Sequence, residues 1–253
     1  STNSVGQAAI SEKEVTAGDI ENALNMSSTL KIPNDKTLLY VVPNSFFIDG
    51  QGNIDDPLGM NGIKLEARSH LIHCSKNTKD NIKKCLKVSS SGIGIRKYFY
   101  SQLGVAHSVL TDYQKKLGVC VLDIGAGTTD ISVYQNGSIT FSKVLPYAGD
   151  YITEIIASAL DIQSSDAEAV KKKYGSAFSD NINDEMLKIS VENGKKSISR
   201  KALAGLIENS MSKILRNCLN ILEENNLLNN ISDGIVVTGG SANMEGMVKL
   251  GEK

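Results

Sequence analysis

The sequence has 253 residues, 41% of them hydrophobic, and 27 basic against 28 acidic side chains leave a formal net charge of −1. That balance gives no sign of a nucleic-acid footprint or a polybasic membrane patch, and no apolar run approaches the roughly 18 residues needed to cross a bilayer. Cys74, Cys85, Cys120 and Cys218 are scattered without metal-ligand spacing, and His70, His73 and His107 are isolated, so neither a zinc site nor a disulfide framework is indicated.

Residues 1–10 are small and polar without periodicity, which fits a loose segment or an edge strand. Thr16 and Asp19 then form a capping-box start to a helix with Ile20, Ala23 and Leu24 on one face. A strand over residues 37–42 is expected to stop at Pro43, and Gly50, Gly52, Pro57, Gly59 and Gly62 predict a long loop. After it Ile63, Leu65, Ala67, Ser69 and Leu71 alternate as a strand with one buried face. Residues 78–88, with Ile82, Cys85 and Leu86, read as a helix. Together these elements make a two-layer α+β unit with no catalytic cluster, and Ser89-Ser-Ser-Gly-Ile-Gly94 is its expected boundary. A helix of small residues over 103–110 follows, where Gly104 and Ala106 permit close backbone approach.

The next stretch carries the chemistry. An apolar strand over residues 119–122 breaks at Asp123, turns through Gly125, Ala126 and Gly127, and resumes at Ile131 and Val133. Glycines let a backbone approach an anion closely, and Thr128 and Thr129 offer hydroxyls and amides to phosphate oxygens. Asp123 and Asp130 flank the turn, where an unpaired buried carboxylate is costly. A hydrated Mg²⁺ near Asp123 would resolve that cost, because Mg²⁺ keeps its waters and takes few carboxylates when phosphates supply the rest. Read alone, the residues also fit a plain tight turn with its acids in solvent.

Asn136-Gly137 predicts a two-residue hairpin into a third strand over residues 138–145. An amphipathic helix over 151–160 and a charged helix over 164–174 follow, with Lys171, Lys172 and Lys173 read as a solvated face. A short hairpin is expected over 189–198. Leu203, Ile207, Met211, Ile214, Leu215, Cys218, Leu219 and Leu222 then recur at helical spacing in the longest helix. Last comes Gly234-Ile-Val-Val-Thr-Gly-Gly-Ser-Ala242, a second strand running into a glycine pair, where Gly239 and Gly240 let the backbone lie flat against a base or a phosphate.

These two glycine turns resemble the phosphate-2 and adenosine motifs of the actin-like ATPase superfamily. Within it the chain resembles the FtsA family of bacterial cell-division proteins. Val144-Leu-Pro-Tyr-Ala-Gly149, Ser165-Asp-Ala-Glu-Ala-Val-Lys171, Tyr174-Gly-Ser176, Ser11-Glu-Lys-Glu-Val-Thr16, Asp19-Ile-Glu-Asn22, Pro57-Leu-Gly-Met-Asn-Gly62 and His70-Leu-Ile72 carry that likeness over essentially the whole chain. The resemblance implies an α/β fold, a partial actin-like ATPase fold with an inserted α+β subdomain of the 1C type. The divisions implied are 1–95 for the 1C-like unit, 96–118 for the connecting part of subdomain 1A, 119–160 for 2A with the phosphate-2 hairpin, 161–233 for a 2B-like lobe and 234–253 for the return to 2A. Beginning without Met and stopping at Lys253, the chain reads as a piece of something longer, without the family's N-terminal phosphate-1 and C-terminal segments.

For the site, the resemblance implies ATP or ADP held by Asp123, Gly125, Ala126, Gly127, Thr128, Thr129, Asp130, Glu208, Gly239, Gly240 and Ser241, with Mg²⁺ reached from Asp123 through water. It also implies a groove for the C-terminal tail of FtsZ flanked by Arg200, Lys201, Lys213 and Arg216. Self-association into filaments, contacts with other division proteins through the 1C-like unit, and a cytoplasmic location at the inner face of the membrane at the division septum are implied as well. Membrane attachment would come only through a C-terminal helix outside this chain, and no nucleic acid is implied. Ser101 and Gln102 stand where relatives often carry Glu-Pro, which points to slow or conditional hydrolysis. The alternatives are a pilus-assembly relative of the PilM family and an ATP-dependent kinase of the same superfamily.

Overall fold

A capping box fixes where the first helix begins. The computed structural model describes residues 1–29, 32–88, 94–180, 182–192 and 194–253. Strand β1 (Thr2–Ala9) leads into helix α1 (Ala17–Ser28), with the Asp19 amide donating to Thr16 Oγ1 at 3.2 Å and the Thr16 amide donating to the Asp19 carboxylate at 2.9 Å. Strands β2 (Lys36–Ile48), β3 (Gln51–Ile54) and β4 (Lys64–Ser75) follow, then helices α2 (Lys76–Val88), α3 (Ser101–Val109) and α4 (Asp112–Leu117). Next come β5 (Val119–Ile124), β6 (Thr129–Gln135), β7 (Ser138–Leu145), α5 (Gly149–Leu160) and α6 (Ser164–Tyr174). The chain closes with β8 (Met186–Val191), β9 (Gly194–Ser199), α7 (Arg200–Glu224), β10 (Ile235–Thr238) and α8 (Met247–Gly251). The sheets have the orders β1-β4-β2-β3, β10-β5-β6-β7 and β8-β9. Among the described residues no helix is long and apolar enough to cross a membrane.

Two compact units emerge, one of Ser1–Val119 with Ser132–Lys143 and one of Cys120–Ile131 with Val144–Lys253. In the first, β1 is the edge strand allowed by its composition, paired antiparallel with β4. Gly6 has a packing reason there, because a Cβ would collide with the Ala23 carbonyl and the Ser27 amide of α1. Val15, Ala23, Phe46, Ile48, Leu65 and Ala67 form the core between helix and sheet. Three expectations need correction. Pro43 does not end β2, since its register against β4 shifts between Pro43 and Ser45, and such an irregularity tolerates a missing N–H. The glycine-rich loop contains the short strand β3. Ile63 is 79% exposed, whereas Leu65, Ala67, Ser69 and Leu71 are buried along with His70 and Ile72, so the alternation fails where β4 is covered on both faces. The boundary expected at residues 89–94 lies, apart from Gly94, outside the described residues, as does Asn193 of the expected hairpin turn.

The β6–β7 turn follows its Asn-Gly signal. Asn136 and Gly137 take φ of 51° and 85°, the left-handed values a primed turn requires. In the second unit, α7 is the long helix expected from its spacing, capped by Ser199, whose hydroxyl accepts from the Ala202 amide. Leu203, Ile207, Met211, Ile214, Cys218 and Leu222 are buried, but Leu219 is exposed. Strand β10 runs parallel to β5, with Thr238 opposite Asp123.

Candidate functional site

That parallel pairing brings the two glycine turns together within the second unit. Both stand at the carboxyl ends of adjacent strands, where α/β sheets commonly bind ligands. Gly239 has φ +92°, and a Cβ there would lie 2.5 Å from the Ile124 carbonyl and 2.6 Å from Asp123 Oδ1, so only glycine fits. A Cβ on Gly240 would meet nothing within 4 Å. The first turn is the reverse of what its glycines suggest conformationally, because neither Gly125 nor Gly127 adopts a positive φ. Ala126 does not take a positive φ either, so its methyl carries no left-handed backbone strain.

Protein contacts pin one side of this turn and leave the other bare. The Gly125 amide donates to the Thr128 carbonyl at 3.0 Å. The first amides of α5 are spent on it too, Gly149 donating to Gly125 O at 3.1 Å and Asp150 to Ala126 O at 2.8 Å. Ser241 Oγ donates to the same Gly125 carbonyl at 2.9 Å, tying the second turn to the first. Among the described residues, the amides of Ala126, Gly127 and Thr128 have no acceptor within the protein, and all three residues are exposed. Successive unspent amides at a turn form an anion-binding concavity.

Thr129 is buried, and its hydroxyl donates to the Tyr147 carbonyl at 2.7 Å, so it anchors β6 instead of offering itself to a ligand. Thr128 Oγ1 donates to Asp130 at 3.2 Å. Burial raises the Asp130 carboxyl pKa, with the nearby Asp123 charge adding to that and the Thr128 hydroxyl opposing it. A cation between these acids would relieve the penalty. Among the described residues no group of three or more His, Cys, Asp or Glu side chains is placed to hold a metal ion. Asp150, not singled out by the sequence, adds a carboxylate 3.8 Å from where a Cβ on Gly127 would stand.

A cleft of about 530 Å³ is lined by Gly125, Ala126, Gly149, Gly240 and Ser241, and on its other wall by Glu168, Lys171 and Lys172 of α6. In sequence those lysines look like a solvated face. Lys171 is instead 7% exposed, its ammonium bonded to the Gly149 carbonyl at 2.8 Å, Thr153 Oγ1 at 2.7 Å and Glu168 at 2.6 Å. Lys172 pairs with Glu168 at 3.1 Å. Burial works against the Glu168 charge, but hydrogen bonds from Lys171, Thr153 and Lys172 outweigh it and hold the pKa at about 2. The i, i+3 spacing of Glu168 and Lys171 was the signal available in sequence.

Glu208 is not brought into this cleft. Its carboxylate accepts from the Ser179 amide at 2.9 Å and from the Ser179 hydroxyl, and Lys253 pairs with it at 3.2 Å. The Ser179 hydroxyl is the main cause of its lowered pKa. It lines a separate groove of about 570 Å³ with Arg216, Leu215, Leu219 and Leu250. Of the other basic residues on α7, Lys201 and Lys213 are exposed, while Arg200 is committed to Glu185 at 3.1 Å and Glu245 at 3.5 Å.

Residues 120–253 match the family described as Cell division protein FtsA. The chain belongs to the FtsA family. Residues 1–73 match the SHS2 domain inserted in FtsA, which covers β1 to most of β4. FtsA of Escherichia coli strain K12 is 35% identical over 262 residues, covering 99% of this chain and 62% of that protein. FtsA of Pseudomonas aeruginosa is 37% identical over 256 residues, covering 100% of this chain and 61% of that protein. The chain thus spans about three fifths of the length of these FtsA relatives. Among solved structures, MreB 5 of Spiroplasma citri bound to AMPPNP superimposes with a TM-score of 0.58 at 24% identity, covering 70% of this chain and 56% of that one. The PilM-PilN type IV pilus biogenesis complex gives 0.57 at 14% identity, covering 98% of this chain and 62% of that one. The actin-like ATPase fold expected for an FtsA-family chain is therefore present.

Proposed function

We propose that this FtsA-family chain binds ATP or ADP with Mg²⁺ in the cleft between the two glycine turns. The observation that carries the reading is the row of unspent, exposed amides at Ala126, Gly127 and Thr128, beside a cleft that Ala126 lines together with Gly125 and Gly240. Phosphate oxygens would accept from those amides, and the open face of Gly240 would take the base or ribose. Asp123 and Asp130 would hold the hydrated Mg²⁺, which supplies charge neutralisation of the phosphates. The fold neighbour MreB 5 being bound to AMPPNP supports the same reading. Lys172 and Glu168 would border the ligand from α6, and Gly239, Thr129 and Ser241 would act by holding the turns in place.

In this reading residues 1–95 serve as the 1C-type subdomain, 96–118 as part of 1A, 119–160 and 234–253 as 2A, and 161–233 as 2B. The protein would polymerise and link FtsZ filaments to the membrane at the division septum, with other division proteins contacting the 1C-type unit. The FtsZ tail, acidic and apolar in character, fits the groove of Leu215, Arg216, Leu219 and Leu250 better than the surface around the paired Arg200. With Ser101 in place of a carboxylate, hydrolysis would be slow and dependent on assembly. Calorimetric titration with ATP tests the core of the proposal. Asp123→Ala is expected to abolish the Mg²⁺-dependent part of the affinity while the protein stays folded, and unchanged affinity would overturn the assignment.

A further inference from the structure

Lys171 lines the nucleotide cleft but has no hydrogen left for a ligand. Its ammonium carries three donors, and all three are spent within the protein, on the Gly149 carbonyl at 2.8 Å, Thr153 Oγ1 at 2.7 Å and Glu168 at 2.6 Å. A buried ammonium is costly unless it is paired and fully bonded, and Lys171 meets that condition.

Those bonds lead into the first glycine turn. The Gly149 carbonyl and the Asp150 amide belong to one planar peptide, which Lys171 holds by its oxygen while its hydrogen goes to Ala126 O at 2.8 Å. The Gly149 amide donates to Gly125 O at 3.1 Å, where Ser241 Oγ also donates at 2.9 Å. In a trans peptide the N–H points opposite to the C=O. With the Gly125 and Ala126 carbonyls drawn toward α5, the Ala126 and Gly127 amides of the same two peptides are turned away from it, and among the described residues they find no acceptor within the protein. The joint is tight at Gly149, where a Cβ would lie 2.8 Å from Ser241 Oγ, 3.2 Å from Gly125 O and 3.3 Å from Lys171 Nζ.

We infer that Lys171 is a positioning residue for phosphate, fixing the first turn through Gly149 and Asp150 so that the Ala126 and Gly127 amides are set for an anion before it arrives. The inference rests on the nucleotide reading above and adds to it a cation that acts on the polyphosphate end through the backbone. Donors already held in place bind an anion without the cost of ordering them first.

The test is calorimetry with ATP, tripolyphosphate and adenosine, together with amide-proton NMR of the ligand-free protein. Lys171→Met is expected to weaken ATP and tripolyphosphate roughly 30-fold and adenosine less than about twofold. It should also move the Ala126 and Gly127 amide resonances before any ligand is added, which loss of a direct ligand contact would not do. Thr153→Val takes away one of the three acceptors and is expected to weaken ATP roughly threefold with the same selectivity, a result readable even if the Lys171→Met protein does not fold. Lys172→Met removes an equal charge from the same cleft at a residue bonded to Glu168, and should cost less than Lys171→Met. Equal losses in these two lysine variants would overturn the inference in favour of charge alone. Loss of adenosine affinity as large as that for ATP would overturn it in favour of a contact to the nucleoside. Unchanged ATP affinity of the Lys171→Met protein would overturn the inference and leave the nucleotide reading standing, whereas a wild-type protein that binds neither ATP nor tripolyphosphate would overturn both.

Discussion

Gly239 and Gly240 are neighbours with different reasons for lacking a side chain. Gly239 is required by the protein itself, through a left-handed backbone and two atoms within 2.6 Å of any added Cβ. Gly240 is required by nothing within the protein. Gly239→Ala is therefore expected to cost about 1–3 kcal/mol of stability, read from urea unfolding. Gly240→Ala should leave the unfolding midpoint nearly unchanged and weaken nucleotide binding, a dissociation that calorimetry and unfolding together would reveal. The Glu168–Lys171 pair belongs to the same scale. Because the folded pKa of Glu168 is held at about 2, below the ordinary value of 4.5, its contribution to stability is complete above pH 4.5 and is lost as pH falls toward 2. Glu168→Gln should flatten that acid limb of the stability profile, and an unchanged limb would assign it to other carboxylates.

At the scale of elements, packing decides which side chains on a helix remain available. On α7, Arg200 is tied to two carboxylates while Arg216 lines an apolar groove, although the sequence makes them equivalent bases on one helix. Arg216→Glu is expected to weaken binding of an FtsZ tail peptide about tenfold, about 1.4 kcal/mol. Arg200→Glu would act differently, lowering stability by setting three carboxylates together. Fluorescence anisotropy with a labelled peptide separates the two, and equal binding by the Arg216→Glu and wild-type proteins would move the groove elsewhere. In the first unit, the close contact of β1 with α1 makes Gly6→Ala more damaging than Thr16→Ala, which removes one cap at a cost of about 1 kcal/mol.

For the molecule as a whole, His70 links strands far apart in sequence within the first unit. Its ring stands 2.6 Å from Asn3 Oδ1 and 2.9 Å from Ser142 Oγ, joining β1, β4 and β7, and burial pulls its pKa down to about 4. The folded state favours the neutral ring, so the unfolded chain takes up the proton first as pH falls. Stability from this site is complete above about pH 6.5 and lost as pH approaches about 4, and His70→Gln should remove that dependence in urea titrations. Saturating nucleotide is expected to stabilise the second unit by about 2.7 kcal/mol at a hundredfold excess over Kd, seen as hydrogen-exchange protection there.

The sequence by itself determined what depends on neighbours along the chain. The Thr16–Asp19 box, the Asn136-Gly137 turn, the apolar spacing of α7 and both glycine turns were legible because caps, turns and helical faces are set within a few residues. The tertiary structure decided what each polar group is spent on. Lys171 reads as one of three adjacent lysines until α5 buries it, the Ser241 and Thr129 hydroxyls are directed to the Gly125 and Tyr147 carbonyls, and the Glu208 carboxylate accepts from Ser179. Each of these outcomes depends on a partner that the fold, and not the local chain, brings within hydrogen-bonding distance, and hydrogen bonds act only over that distance.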